Sequence, residues 1–235
     1  MNSKSIYDVH VIGVGGYARS GKDTFVNIAK PILRKNGYFV VQLAFASKLK
    51  EEVQKMLNDN GFRTSIYDIE DNHAKELIRP LLVWWGCQRR YETYQGMYWV
   101  SKVNSQLEEI ANQLLKHENS DAKKIVFLIS DVRFGNEAEW IQKTRKGKVI
   151  HLKRYRVLID YDNTWESGQI FKKVYDPPPN KEEEDNDPIV QSCSDFCIEW
   201  EDQKHLTMKE ATENPELQKV VMDCLNNTGL FQLTG

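Results

Sequence analysis

The segments VHVIGV (residues 9–14) and GGYARSGKDT (residues 15–24) together decide the expected fold. The first is a short apolar run that stops at a glycine pair, which predicts a buried strand. After Lys22 the apolar residues recur at helical spacing and predict one face of a helix: Phe25, Ile28, Ala29, Ile32 and Leu33. A strand, a glycine-rich loop and a helix in this order predict a loop whose backbone N–H groups hold a phosphate.

The loop fits the pattern G-x-x-x-x-G-K, in which the glycines let the chain wrap closely round a phosphate and the lysine reaches the β- and γ-phosphates. A plain glycine turn is the alternative. Ser or Thr normally follows the lysine, whereas here Asp23 comes first and Thr24 second. Thr24 is therefore a candidate magnesium ligand, and Asp23 can act on the metal through water or as a base toward an acceptor. The predicted ATP- and phosphate-binding loop residues are Gly16, Arg19, Ser20, Gly21, Lys22, Asp23 and Thr24.

The composition is that of a globular protein without an overall basic field. Of the 235 residues, 40% are hydrophobic and 28% are charged, which is enough apolar side chain to build a core. The net charge of -2 disfavours a protein that binds nucleic-acid polymers or anionic membranes. No apolar run approaches the roughly 18 residues of a membrane span, and the N-terminal residues lack a signal-peptide core. We therefore expect a soluble, cytoplasmic protein with no membrane partner and no stable complex with nucleic acid.

Apolar runs that alternate with helical periodicity predict an α/β fold with a five-stranded parallel sheet and helices on both faces. The five predicted strands cover residues 9–14, 38–44, 125–130, 148–152 and 195–199. We expect a single domain over residues 1–235, with a core of about 8–46 and 119–235 and a helical insertion at about 47–118. The acidic, Pro-rich segment 176–188 predicts a mobile loop.

Three local signals refine the helices. Pro31 lies within the first predicted helix and is expected to kink or shorten it. A short helix is expected around residues 136–146. The last helix has Asn214 as its predicted N-cap and Pro215 in its first turn.

Asp131 and Arg133 follow the apolar strand at residues 125–130. The carboxyl ends of parallel strands form the usual ligand crevice of such a sheet. Asp131 can hold magnesium there, directly or through water, or orient a substrate, although a strand-end turn residue is the alternative. Arg133 can grip a phosphate with two hydrogen bonds.

Residues 79–99 combine arginines with aromatic side chains: Arg79, Trp84, Trp85, Arg89, Arg90, Tyr91, Tyr94 and Trp99. Cations for a phosphate and flat apolar surface for a base are what a nucleoside monophosphate requires. Trp85 lies on the same predicted helix face as Leu77 and Leu81 and is expected in the core. Trp84 points about 100° away and is the better candidate for stacking on a base.

Two further patterns are weaker. The basic run KTRKGKVIHLKRYR (residues 143–156) is largely a solvated face, with Arg154 and Arg156 as candidates for a closing lid over the transferring phosphoryl group. Cys193 and Cys197 form a C-x-x-x-C pair that is weak evidence for zinc. We expect Cys197 and Cys224 to be buried structural thiols.

Five segments of the chain resemble bacteriophage-type deoxynucleoside monophosphate kinases. They are RSGKDT (19–24), LAFASKLK (43–50), RPLLVWWG (79–86), Tyr98-Trp99 and ISDVRFGNEAEWI (129–141), in the family's order across roughly residues 9–155. The resemblance implies a P-loop kinase fold with a helical substrate-binding insertion. It also implies a reaction that converts ATP and a deoxynucleoside monophosphate (dNMP) into ADP and the diphosphate, for DNA precursor synthesis. ATP, Mg²⁺, a homodimer and, for a phage-encoded chain, the host cytoplasm are implied as well.

Under this resemblance, the catalytic candidates are Lys22, Asp23, Asp131 and Arg133, and Thr24 and Asp131 are the magnesium candidates. Arg154 joins the ATP-binding set. The substrate-binding candidates are Lys48, Arg79, Trp84, Arg89, Arg90, Trp99, Arg133 and Glu137. The chain departs from the family at residues 160–170, where Trp165, Glu166 and Ser167 occur without the family's histidine.

Two alternatives stay open. The same loop can serve another small phosphorylated acceptor, such as dephospho-coenzyme A. An ATP-regulated module that binds nucleic acid or protein through residues 143–156 is the alternative from a different class.

Overall fold

The computed structural model describes residues 8–63, 65–67, 72–116, 124–160, 170–202 and 206–231. The described residues form two compact units. The first, called the core unit here, contains those up to Val41 and those from Lys124 onward. The second, called the helical unit, contains the described residues from Gln42 to Lys116.

The core unit is built on a six-stranded mixed sheet. Its strands are β1 (Asp8–Gly15), β2 (Tyr38–Leu43), β3 (Lys124–Val132), β4 (Lys148–Asp160), β5 (Ile170–Tyr175) and β6 (Phe196–Glu201). The order is β2-β3-β1-β4, and β4 continues to both β6 and β5. Strand β1 pairs in parallel with β3 and β4, and β4 pairs in parallel with β6 but antiparallel with β5.

The expectation of a five-stranded, wholly parallel sheet is therefore wrong in one respect. Strand β4 extends to Asp160 rather than ending at residue 152, and its outer half pairs with the additional strand β5. The segment IFKKVY of β5 has two consecutive lysines and a largely exposed surface, so it lacks the apolar alternation from which strands are recognised. The five strands expected from the sequence are all present.

Helices cover both faces of the sheet. The helices of the core unit are α1 (Lys22–Lys35), α5 (Gly135–Glu139), α6 (Lys181–Cys193), α7 (Met208–Glu213) and α8 (Pro215–Asn227). Helices α1, α7 and α8 contact one another, as do α5 and α6. The continuous core includes Ile12 and Val14 of β1, Leu128 of β3 and Phe25 of α1, all at most 1% exposed. Burial of these side chains holds the carboxyl ends of the central strands beside the start of α1.

The local signals for helix ends have mixed outcomes. Helix α8 begins as predicted, because the Asn214 side chain accepts hydrogen bonds from Glu216 N and Leu217 N. The short helix expected around residues 136–146 is present as α5 followed by a π-helical turn, Trp140–Thr144. Pro31 does not end α1, which continues to Lys35 and is closed by Asn36.

The expected mobile loop at residues 176–188 is wrong for most of its length, since residues from Lys181 onward form α6. Asn180 caps this helix, and its side chain accepts a hydrogen bond of 2.9 Å from Glu183 N. The three glutamates that follow lie in the first turn, where negative charge interacts favourably with the helix dipole. The acidic composition that suggested a loop is thus a helix-start signal.

The helical unit consists of α2 (Phe45–Asp59), α3 (Asn72–Tyr91), a 3₁₀ turn (Tyr94–Gly96) and α4 (Tyr98–Lys116). Its buried side chains include Phe45, Val53, Trp99, Val103 and Leu107. These elements confirm the helical periodicity expected within residues 47–118.

Among the described helices, none combines the length and the apolar character that crossing a membrane would require.

Candidate phosphate-binding site

The loop between β1 and α1 requires glycine at both ends. Gly16 and Gly21 have φ angles of +125° and +94°, a region that side chains with a Cβ rarely adopt. A Cβ on Gly16 would clash with the carbonyl oxygen of Leu152, and one on Gly21 would lie 2.5 Å from Cζ2 of Trp200. The Trp200 indole is fixed in place, because its Nε1 donates a 2.9 Å hydrogen bond to Ser20 O. The loop is thus closely wrapped, as the motif predicts.

Lys22 folds over this loop. Its Nζ donates hydrogen bonds of 2.6 Å to the carbonyl oxygens of Gly16 and Tyr17. The pKa of Lys22 is lowered to about 8, mainly by burial and also by the nearby Arg133 guanidinium, while Glu183, Asp23 and Asp131 act in the opposite direction. The four predicted catalytic residues, Lys22, Asp23, Asp131 and Arg133, therefore share one electrostatic environment.

Arg133 is presented by a turn that Glu137 supports. The Glu137 carboxylate accepts hydrogen bonds from Arg133 N at 2.8 Å and Phe134 N at 3.2 Å. Glu137 is only 1% exposed. The structure thus places it as a support for the turn after β3, whereas the resemblance implied contact with substrate.

Helix α6 contributes a residue that the sequence did not identify. The Glu183 carboxylate accepts a 2.6 Å hydrogen bond from Ala18 N in the loop and a 2.9 Å bond from Nη1 of Arg133. One turn further along α6, Asp187 lies 3.0 Å from Nε2 of His151, and both side chains are buried. The capping residue Asn180 and the glutamates after it are the signal that would have predicted a helix here.

The residues of the loop fit a phosphate group. The buried hydroxyl of Ser20 has no hydrogen-bond partner among the described residues, which is costly unless a ligand supplies one. Phosphate oxygens accept hydrogen bonds from hydroxyl, backbone N–H and ammonium donors, and this loop offers all three.

A cavity of about 470 Å³ begins at the first turn of α1 and lies beside the loop. Ligand pockets are usually about 300–1,000 Å³, so a nucleoside is of suitable size. Gly21, Lys22 and Thr24 line one end, and an apolar wall formed by Leu206, Met208, Ala211 and Leu217 lines the other. Thr24 Oγ1 lies 3.8 Å from Sδ of Met208, so Thr24 belongs to the wall of this cavity, and its magnesium role stays a prediction.

Arg154 forms one side of this cavity. Its guanidinium lies 2.5 Å from an Asp176 oxygen and 3.5 Å from an Asp202 oxygen, which holds its plane in one orientation. Arg154 and Arg156 were expected in a closing lid, but both lie within β4, and Arg156 also pairs with Asp176 at 3.0 Å. The lid expectation is wrong for these residues, because β4 is longer than its apolar core indicates.

Among the described residues, no group of three or more His, Cys, Asp or Glu side chains is arranged to hold a metal ion. Magnesium at phosphoryl-transfer sites typically uses one or two protein carboxylates together with substrate phosphates. Asp131, close enough to Lys22 to affect its pKa, fits such a role.

The cysteines differ from one another in their surroundings. Cys224 is buried, and burial raises the pKa of its thiol to about 12, as expected for a structural thiol. Cys197 is exposed, contrary to expectation, since Ile198 and Trp200 are the residues of β6 that face the core.

In the helical unit, Arg89 belongs to a polar–aromatic cluster. Its guanidinium lies 4.6 Å from the ring centre of Trp85 and 5.1 Å from that of Tyr98. Glu52 accepts hydrogen bonds from Trp85 Nε1 at 3.1 Å and from Tyr98 Oη at 2.6 Å, and it pairs with Lys102 at 3.3 Å. Trp85 is therefore half-buried in a polar cluster, not in the apolar core where its helix position predicted it.

The other predicted substrate-binding residues of the helical unit differ in their exposure and in their contacts. Trp84 is 56% exposed, which keeps its ring accessible, and Arg79 is exposed as well. Trp99 is 1% exposed and donates a 3.1 Å hydrogen bond to Gly86 O, so it packs in the interior and presents no surface to a base. Lys48 pairs with Glu51 at 2.7 Å. Arg90 is half-buried.

The departure from the family pattern at residues 160–170 falls almost entirely on residues 161–169, which lie outside the described residues.

No family model matches the chain, and a comparison with curated proteins finds no match to its sequence. The function is therefore inferred from the geometry of the loop and its surroundings.

Proposed function

We propose that the chain is an ATP-dependent kinase that converts deoxynucleoside monophosphates into diphosphates. The observation that carries the proposal is the arrangement of Lys22 over a tightly wrapped glycine loop, with Arg133 close by and a nucleoside-sized cavity at the start of α1. Phosphoryl transfer depends mostly on positioning and charge stabilisation, and this arrangement supplies both.

In this proposal, the adenosine of ATP occupies the cavity and its phosphates bind along the loop. The apolar wall formed by Leu206, Met208, Ala211 and Leu217 contacts the base. The guanidinium of Arg154, which its acidic partners hold in one orientation, packs against the base as well. Lys22 and Arg133 neutralise the charge that develops on the transferring phosphoryl group. Asp131 would hold Mg²⁺, which when bound supplies further neutralisation of the β- and γ-phosphates.

The acceptor needs no protein nucleophile. An oxygen of the dNMP phosphate attacks the γ-phosphorus of ATP, the bond to the β–γ bridging oxygen breaks, and ADP leaves with that oxygen. Exposed Trp84 and Arg79 of the helical unit are the candidates for contact with the acceptor's base and phosphate.

The nucleic-acid-binding alternative receives less support. Most cations of the run 143–156 already have acidic partners: Lys143 pairs with Glu139 at 2.6 Å and Lys148 with Asp195 at 2.9 Å. Arg154 and Arg156 both pair with Asp176. Four of the seven Lys/Arg side chains of this run therefore have an acidic partner, which lowers the positive charge that the run presents to a polyphosphate backbone.

A coupled assay of ADP release with Mg-ATP tests the proposal. The acceptors are the dNMPs, including 5-hydroxymethyl-dCMP, beside the ribonucleoside monophosphates and dephospho-coenzyme A. Turnover with a subset of dNMPs, lost in Lys22→Ala and kept in Lys35→Ala, supports the proposal; Lys35 is an exposed residue at the far end of α1. Turnover with dephospho-coenzyme A alone would show that the acceptor is not a dNMP. ATP binding without any transfer would overturn the kinase proposal.

A further inference from the structure

Glu183 holds two donors of the phosphate loop region at the same time. Oε2 accepts from Ala18 N at 2.6 Å, and Oε1 accepts from Nη1 of Arg133 at 2.9 Å. A weaker contact of 3.3 Å comes from the Asn180 side chain. With its side chain only 6% exposed, Glu183 is a buried anion fixed against a loop whose other features fit a bound anion.

The two donors lie outside the lining of the nucleoside cavity. Of the loop and the start of α1, Arg19 and Gly21–Thr24 line the cavity, whereas Ala18 does not, and Arg133 does not line it either. A chain of phosphates that leaves a nucleoside in this cavity passes Lys22, whose Nζ is bonded to Gly16 O and Tyr17 O. Its terminal phosphate then meets Ala18 N and Arg133.

A backbone N–H has one hydrogen, so Ala18 cannot make a full hydrogen bond to Glu183 and to a phosphate oxygen together. A carboxylate and a phosphate at hydrogen-bond distance from the same donors also repel each other, and water screens the buried Glu183 carboxylate only weakly. The terminal phosphate must therefore displace Glu183 before it can use these donors.

We propose that Glu183 is an intramolecular competitor for the terminal phosphate of ATP, so that it weakens ATP binding relative to ADP binding. The inference rests on the ATP site of the proposed function, but it does not depend on which acceptor is used. ADP lacks the third phosphate, so its binding leaves the contacts of Glu183 with Ala18 and Arg133 intact. A residue that only supported the fold would not, when it is replaced, tighten the binding of ATP selectively over that of ADP.

Calorimetric titration of the full chain with Mg-ATP and Mg-ADP tests this competition. Glu183→Gln keeps the shape of the side chain and removes its charge, and Glu183→Ala removes the competing oxygens. Since hydrogen bonds to charged groups are the strong ones, we expect about tenfold tighter ATP binding in both variants and less than about twofold change for ADP. Glu184→Gln is the matched control, because this exposed neighbour on the same helix turn carries the same charge.

Unchanged or weaker ATP binding in both Glu183 variants, with a wild-type circular-dichroism spectrum, would overturn the competition and leave the kinase proposal standing. Equal tightening for ATP and ADP would also overturn it, since the effect would then not concern the terminal phosphate. ATP bound by neither the wild type nor the variants would overturn the ATP site itself. If the ATP and ADP affinities are as expected but the wild type turns over no dNMP, the result would contradict the proposed reaction and leave the competition by Glu183 standing.

Discussion

Gly21→Ala should destabilise the core unit much more than a glycine replacement with the same backbone geometry elsewhere. Gly21 has a φ of +94°, and an added Cβ would lie 2.5 Å from Cζ2 and 2.9 Å from Nε1 of Trp200. Gly37 has a φ of +83°, but nothing lies within 4 Å of its added Cβ. The pair therefore separates backbone strain from steric overlap.

The expected losses in the free energy of unfolding follow from backbone strain and steric overlap. A side chain at positive φ costs about 1–2 kcal/mol, which is the whole penalty for Gly37→Ala. Overpacking against a fixed neighbour adds about 1–3 kcal/mol, so Gly21→Ala should cost about 3 kcal/mol. The indole cannot move away cheaply, because Trp200 is 6% exposed and bonded to Ser20 O.

Urea denaturation of the nucleotide-free protein, followed by circular dichroism, measures both costs. Trp200→Phe removes the indole atoms nearest to Gly21, so Gly21→Ala in that background should cost no more than Gly37→Ala, which a double-mutant cycle quantifies. Equal destabilisation by Gly21→Ala and Gly37→Ala in the wild-type background would refute the reasoning that Trp200 forms the wall of the loop.

Two further predictions concern ATP binding. Because the pKa of Lys22 is lowered to about 8 and the protonated ammonium is the form that attracts phosphate, the ATP association constant should be level below this pH and fall by up to about tenfold per pH unit above it. Calorimetric titration between pH 6 and 10 measures this, and Lys22→Met should remove the dependence; a level wild-type profile would contradict it. Arg154→Ala should raise the KM for ATP by about tenfold with little change in the KM for the acceptor, since Arg154 lines the cavity beside the loop. Steady-state kinetics with each substrate varied measures both KM values, and Arg156→Ala is the matched control on the same strand. An equal rise in both KM values would contradict a specific contact of Arg154 with ATP.

Local sequence patterns predicted much of the fold, because the interactions that produce them act between residues that are close together in the chain. The apolar run at residues 9–14, the two glycines of the loop and the apolar stripe of α1 each depend on near neighbours in the chain, and each is present in the structure. The Asn214 cap of α8 is equally local. The mobile loop predicted for residues 176–188 is the exception: residues from Lys181 onward form α6, whose start depends on the cap at Asn180.

The partners of charged side chains were beyond prediction, since they come from residues distant in sequence. Glu183 meets Ala18 across 165 positions, and Arg154 meets Asp176 and Asp202 only because β4, β5 and β6 adjoin. Strand β5 itself forms on the extended edge of β4, although its own sequence carries adjacent lysines.

The sequence by itself determined that a strand, a glycine loop and a helix follow one another in a tightly wrapped turn with Lys22 at its end, because glycine conformation and helical periodicity are properties of a few consecutive residues. Only the tertiary structure decided which groups surround that turn. Burial and Arg133 lower the pKa of Lys22, Trp200 packs against the loop, and Glu183 accepts a hydrogen bond from Ala18 N of the loop. Desolvation and charge pairing depend on where the folded sheet brings distant residues together, and no local pattern encodes that.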